Sequence, residues 1–255
     1  MSHDTTTPDD LRPSRRTVTR AAAWSVPVVA AAATAPAYAA SCMPLTDVTF
    51  ASWTGAISNG GLTYTQTYTP PGGTATAAVD MKIAAVYTGA MKAGSETAGG
   101  PALYDVFNPV GGLGKPGLGL IQSVTRPRDQ NAPGRSARGT YTFSFTKPVS
   151  NLRITFTDVD QTSGDFLDRM EIGGAVWQEV SRGSGISGGG SQTSPYAGGA
   201  AYNDGTSGAG NVAVKFAGPV SSFVVTYWNA ETSWSGVDRN QAVFVADVKF
   251  DYQPC

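Results

Sequence analysis

An all-β fold, an antiparallel β-sandwich of jelly-roll type with about nine or ten strands, is predicted by three features of the sequence. The first is period-two alternation. In Gly139–Asp160, Tyr141, Phe143 and Phe145 alternate with Thr140, Thr142, Ser144 and Thr146. Beyond Lys147-Pro148, Leu152, Ile154 and Phe156 alternate with Arg153, Thr155 and Thr157. Such a pattern sends one set of side chains to a core and the other to water. Pro148 has no N–H to donate, so it belongs at a joint between two strands. The second feature is recurrence. In Gly210–Glu231, Gly210, Phe216, Pro219, Val220, Ser221 and Thr226 stand where Gly139, Phe145, Pro148, Val149, Ser150 and Thr155 stand in the first unit. Two copies are too few for a solenoid and suit two equivalent strand pairs in one sandwich. The third is composition: 31 glycines, 16 prolines and only 15% charged residues describe a loop-rich β protein.

The remaining elements follow in order. Asp47–Trp53 and Leu62–Thr69 alternate and read as the first strands, the second ending at Pro70-Pro71-Gly72-Gly73. Ala75, Ala77, Val79, Met81 and Ile83 share one phase and place one long strand or two shorter ones within Thr74–Tyr87; a helix over Ala77–Ala85 is the alternative, disfavoured by the flanking Thr and Gly. Leu103–Phe107 is a short apolar run. Asn108–Arg138, rich in Gly and Pro, reads as a long surface excursion apart from Leu118–Val124. Met170–Val180 reads as a hairpin turning at Gly173-Gly174. Ser181–Gly210 reads as a mobile Gly/Ser-rich loop carrying Tyr196 and Tyr202, and Ala242–Tyr252 as the closing strand.

Residues 1–39 have the form of a secretory leader, leaving 40–255 as a single domain. A basic region precedes the Ala- and Val-rich run Ala21–Thr34, and Ala37-Tyr38-Ala39 supplies the small residues read by a signal peptidase. That run is shorter than the ~20 residues of a membrane span and contains Pro27, so no transmembrane segment is expected in the mature chain. Ser14-Arg15-Arg16-Thr17-Val18-Thr19-Arg20 resembles a twin-arginine export signal, with Val18 and Thr19 in the places usually held by Phe and Leu. The resemblance implies that Arg15 and Arg16 engage the twin-arginine translocase, that cleavage follows Ala39, and that the product is secreted or held at the cell surface. Lipidation at Cys42 is the alternative processing route, with Ala where a lipobox usually has Leu. In an exported chain with two cysteines, Cys42 and Cys255 are expected to form a disulfide joining the ends.

Cleavage would remove His3, the only histidine, and leave the mature chain close to charge balance. No overall basic footprint for nucleic acid or a charged membrane then remains. A Ser-His-Asp or Cys-His centre lacks its base, and no phosphate-binding glycine loop occurs.

The joint formed by Phe145, Pro148, Val149, Leu152 and Ile154, the D-V-D at Asp158–Asp160 and the closing V-A-D-V-K-F at Val245–Phe250 resemble exported bacterial surface β-sandwich domains of Gram-positive type. Among such domains many carry no assigned activity and others recognise glycans, so the resemblance implies a binding or structural module of the cell envelope.

Chemistry is expected in two places. Asp158, Asp160, Asp165 and Asp168 crowd a strand end with Gly164 at the turn. Converging carboxylates suit Ca²⁺, which takes only oxygen ligands; the competing reading is that these aspartates cap their own turn. Trp234, Tyr196 and Tyr202 lie in loop-like sequence, where exposed rings suit stacking on a polysaccharide or cell-wall glycan. Trp53, Trp177 and Trp228 are expected to fill the core. A carboxylate-based glycoside hydrolase or lyase remains the enzymatic alternative. Changing both Arg15 and Arg16 to Lys is expected to leave unprocessed precursor inside the cell. Immunoblotting of cell and medium fractions checks this, and normal secretion of the double variant would remove the twin-arginine reading.

Overall fold

The computed structural model describes residues 46–47, 57–69, 78–95, 100–106, 108–125, 132–201, 205–232 and 240–251. The leader with Arg15 and Arg16, both cysteines, Trp53, Tyr202 and Trp234 lie outside the described residues. Sixteen strands follow one another: Thr46–Asp47 (β1), Ile57–Ser58 (β2), Thr63–Tyr68 (β3), Val79–Thr88 (β4), Met91–Ala93 (β5), Leu103–Val106 (β6), Gly117–Val124 (β7) and Arg138–Thr157 (β8). They continue with Gln161–Thr162 (β9), Phe166–Gly173 (β10), Trp177–Arg182 (β11), Ile186–Ser187 (β12), Tyr196–Gly198 (β13), Val212–Phe216 (β14), Val220–Asn229 (β15) and Asn240–Asp251 (β16). No α-helix occurs among them, every pairing is antiparallel, and the fold is the all-β sandwich that alternation predicts.

Strand β8 organises both layers. Its first half lies between β4 and β15, with Phe143 opposite both Ile83 and Phe223. Its second half lies between β14 and β16, with Phe156 opposite Val212 and Val245. No pairing is made at Thr146, Lys147 or Pro148, where the β8–β15 register shifts. Pro148 therefore sits where its missing N–H costs no ladder bond. Asn151, at φ 51°, takes the left-handed turn into the second half, a conformation Asn tolerates better than most residues.

The recurrent unit does the same in reverse. β14 belongs to the layer of β16, and β15 to the layer of β4. The two copies thus pair antiparallel, the first half of each against the second half of the other. One layer runs β2-β3-β4-β8-β15-β10-β13-β12, and the other runs β11-β14-β8-β16-β7 with β5 and β6 on β7.

Between the layers the inward residues of both copies interlock. Phe143 stacks on Phe223 with centroids 4.4 Å apart, Phe223 meets Phe216 at 4.4 Å, and Phe143 meets Phe156 edge-on at 6.4 Å. These four rings come from both layers and both copies, and all are buried. β4 shows the alternation directly, with Val79, Met81, Ile83 and Ala85 buried. Trp228 is also buried, beneath the guanidinium of Arg135, and Trp177 is half-buried against the core.

Two sequence expectations are corrected, while Leu118–Val124, set apart from the surface excursion in the sequence, lies in β7, a core strand paired with β5, β6 and β16. Seven of its eight residues are buried, and a strand covered on both sides shows no alternation. Gly173-Gly174 does start a turn, but β10 and β11 do not form a hairpin; they enter different layers. The Gly/Ser-rich stretch carries β12 and β13, which pair with each other and extend the β10 edge.

Phe223→Ala removes a ring that touches both layers and is expected to destabilise the fold by about 3–5 kcal/mol. Urea unfolding monitored by circular dichroism checks this, with a lowered midpoint at unchanged slope.

Candidate functional site

β8 ends at Thr157, and the next residue turns sharply: Asp158 has φ 65°. This turn carries Asp158 and Asp160 to the rim of the β16–β7–β6 layer. There they border a cleft of about 570 Å³ lined also by Ser95, Tyr104, Ile121, Phe166, Asn240, Gln241 and Ala242. Its lining combines carboxylates and amides with the ring of Tyr104, Ile121 and Ala242, the last two directly opposite each other on β7 and β16.

The Tyr104 ring is held open by a glycine. Tyr104 pairs with Gly119, and a Cβ at Gly119 would lie 2.7 Å from the ring. With no side chain there, the ring packs onto the strand backbone, as aromatics do over strand glycines. Tyr104 remains 40% exposed. On the same face the loop after β6 covers Phe244 and Ala246 with Val110 and Leu113.

Beneath the acidic rim lies a buried polar network. Asp168 is 0% exposed. Its Oδ1 accepts from the Tyr227 hydroxyl at 2.7 Å and from Gln241 Nε2 at 2.8 Å, and its Oδ2 accepts from the Asp160 backbone N–H at 3.2 Å. Gln122 Nε2 donates to Gln241 Oε1 at 3.2 Å, the Tyr141 hydroxyl donates to Gln122 Oε1 at 3.3 Å, and the Tyr141 and Tyr87 hydroxyls are 3.1 Å apart. Burial, then the nearby charge of Asp160, pushes the Asp168 carboxyl well above the usual carboxylate range despite its three donors. Burial likewise raises Tyr227, reinforced by Asp168, and raises Tyr141, while Tyr87 is pushed up to about 12.

The second copy of the recurrent unit braces the acidic turn. Asn229 Nδ2 donates to the Asp165 carbonyl, its Oδ1 accepts from the Leu167 N–H, and Glu231 Oε2 accepts from the Gly164 N–H. From the other side Gly198 of β13 packs on Asp160, where a Cβ would lie 2.3 Å from the Asp160 backbone.

The four predicted metal ligands therefore separate by role. Asp158 and Asp160 line the cleft, Asp165 backs onto Asn229, and Asp168 is committed to the buried network. Among the described residues no group of three or more His, Cys, Asp or Glu is arranged to hold a metal ion, so the four do not converge into an oxygen cage for Ca²⁺. Tyr196 is also corrected as a stacking residue. It is 0% exposed, its ring packs against Trp177 and its hydroxyl donates to Glu179 Oε2 at 2.9 Å. A ring with both faces covered presents nothing to a sugar. Trp234 and Tyr202 lie outside the described residues.

No family model matches this chain, and comparisons with curated proteins and with solved structures return no match.

Residues missed from the sequence are Tyr104, Phe166, Asn240 and Gln241. The readable signal was the amide inside each apolar strand, Gln122 in G-L-G-L-I-Q-S-V and Gln241 in N-Q-A-V-F-V-A. An amide on an inward face needs polar partners in the core.

Asp168 also sets a pH dependence. Its folded pKa lies above the unfolded value, so the native state holds its proton longer. The stabilisation is complete below about pH 4 and is lost as pH rises through the folded pKa. Asp168→Asn removes this ionisation. The melting temperature of the native protein is therefore expected to fall more steeply above about pH 4 than that of the variant. Parallel slopes in differential scanning calorimetry would refute the assignment.

Proposed function

We propose that this protein is an exported, cell-surface or secreted glycan-binding module whose ligand occupies the cleft between Tyr104 and Asp160. One observation carries the reading: an exposed aromatic ring, seated on a glycine, shares the lining of a single concavity with two carboxylates and two amides. A pyranose presents C–H groups on its faces and hydroxyls at its edge. Tyr104 and Ile121 suit the faces, while Asp158, Asp160 and Asn240 supply acceptors and donors for the hydroxyls. The cleft volume, about 570 Å³, falls in the range of pockets that hold small ligands. Gln241 is itself buried and held by Asp168 and Gln122, so this part of the wall is pre-organised before binding.

A second reading, a carboxylate-based glycoside hydrolase or lyase, is supported by the presence of both Asp158 and Asp160 on the cleft wall. Asp168 takes no part in it, because both its oxygens serve the interior network. Release of reducing ends or unsaturated sugars from bound polysaccharide, lost in Asp160→Asn, would favour this reading over simple binding.

Calorimetric titration against a panel of neutral cell-wall oligosaccharides tests the principal reading. Tyr104→Ala is expected to weaken binding by up to roughly ten-fold, since a stacked ring contributes on the order of 0.5–1.5 kcal/mol. Gly119→Ala, which leaves Tyr104 in place but fills its seat, is expected to weaken binding in the same direction. Binding unchanged in both variants would move the site elsewhere.

A further inference from the structure

The outer face of the β14–β8–β16 layer carries a second feature far in sequence from the cleft-lining aromatics. Lys215 of β14 lies directly opposite Arg153 of β8, and Arg153 lies directly opposite Lys249 of β16. The inward neighbours Val214, Ile154 and Val248 are buried, so these three side chains share the outer face. In register the row continues to Gln178 of β11 on one side and Asp47 of β1 on the other. Neighbouring strands lie about 4.8 Å apart, so three cations stand in line over roughly 10 Å.

Like charges directly opposite on adjacent strands destabilise a sheet. Only one end of the row is neutralised by a described side chain. Asp247 accepts from Lys115 Nζ at 2.6 Å and lies 3.4 Å from Lys249 Nζ. Burial alone would raise its pKa, but the Lys115 hydrogen bond and the charges of Lys115 and Lys249 outweigh it and hold the carboxyl low. Arg153 and Lys215 have no acidic partner among the described residues. Beside the row runs a shallow trough floored by Thr155 and Ala213, bordered by Val180, which is 56% exposed, and by Arg153, Asp247 and Lys249.

We infer that this row and its trough bind an anionic polysaccharide, the sugars lying on Thr155, Ala213 and Val180 with their acidic groups against Lys215 and Arg153. A chain with carboxylates at regular intervals relieves the repulsion along the row, and relief of repulsion in the free protein adds to the attraction in the complex. Single-stranded nucleic acid fits less well, because such sites stack bases on aromatic rings and the trough has none among its residues. The near-balanced charge of the whole chain does not oppose this, since the row is local and acts within a Debye length.

The experiment uses the full mature chain with alginate, a polyuronate, and dextran as the neutral counterpart, in affinity electrophoresis and thermal-shift assays. Alginate is expected to retard the protein and raise its melting temperature, and dextran is expected to do neither through this face. For the two cations without an acidic partner, affinity should fall on the order of ten-fold between about 50 and 200 mM salt. Arg153→Gln with Lys215→Gln should abolish retardation by alginate. At low salt and without ligand, the same variant should melt higher than the native protein. Lys215→Arg, which keeps the charge, should retain binding. No retardation of the native protein at low salt, or retardation that survives the double glutamine variant, would overturn the inference. Equal retention on single-stranded DNA would overturn the assignment to polysaccharide. None of these positions lines the Tyr104–Asp160 cleft, so failure here leaves the glycan reading of that cleft standing, and the converse also holds.

Discussion

One strand has to serve two sheets. β8 pairs with β4 and β15 over its first half and with β14 and β16 over its second. Layers packed face to face stand about 10 Å apart, so the chain must step between them without leaving ladder groups unpaired in the interior. It does so at Thr146–Asn151, where Pro148 has no donor to strand and Asn151 adopts a left-handed turn. The step brings Phe143 and Phe156, thirteen residues apart on one strand, together from opposite layers. The second copy solves the same problem in the opposite direction and supplies Phe216 and Phe223 to the same cluster. The position of the cleft follows from this arrangement, because the acidic turn begins where the second half of β8 runs out.

Next to this apolar centre the sandwich buries a polar one. Asp168, Tyr227, Gln241, Gln122 and Tyr141 link β10, β15, β16, β7 and β8 through side chains alone. Such a network stabilises only when its members are satisfied, because a buried group left unpaired costs about 1–3 kcal/mol. A slip of two residues in β16, which keeps the same face inward, would carry Gln241 away and leave Asp168 and Gln122 short of a partner. The network thus discriminates among registers that hydrophobic burial alone treats almost equally, and it holds Gln241 fixed at the cleft wall.

The two surface features use the same strands in different ways. At the cleft, the end of β8 and the start of β16 present carboxylates and amides beside an apolar wall. Further along the same two strands, the outer face presents Arg153 and Lys249 beside Lys215. In the proposed readings a neutral sugar edge complements the first and an acidic chain the second. Asp247 separates the charge regimes, since its pairs with Lys115 and Lys249 confine the unneutralised cations to the Arg153–Lys215 end.

Alternation in Gly139–Thr157 and its recurrence in Val212–Asn229 were enough to establish strands, their inward faces and the joint at Pro148, because side-chain direction in a strand is a local property. The aspartates of Asp158–Asp168 were legible as a cluster for the same reason. Their separate duties were not, since these depend on Asn229, Glu231, Gly198 and Gln241, residues brought in by strands far along the chain. β7 stood out from its surroundings as Leu118–Val124, but its place in the core depends on pairings with distant strands, and Tyr196 was misjudged because Gly- and Ser-rich sequence does not reveal that β10 and Trp177 close over it. Tyr104 became a site residue only opposite Gly119, and Lys215, Arg153 and Lys249 became a row only in register. Periodicity determined which side chains face inward; which of them meet was decided by pairings between distant strands, and those are set by the packing of the whole sandwich.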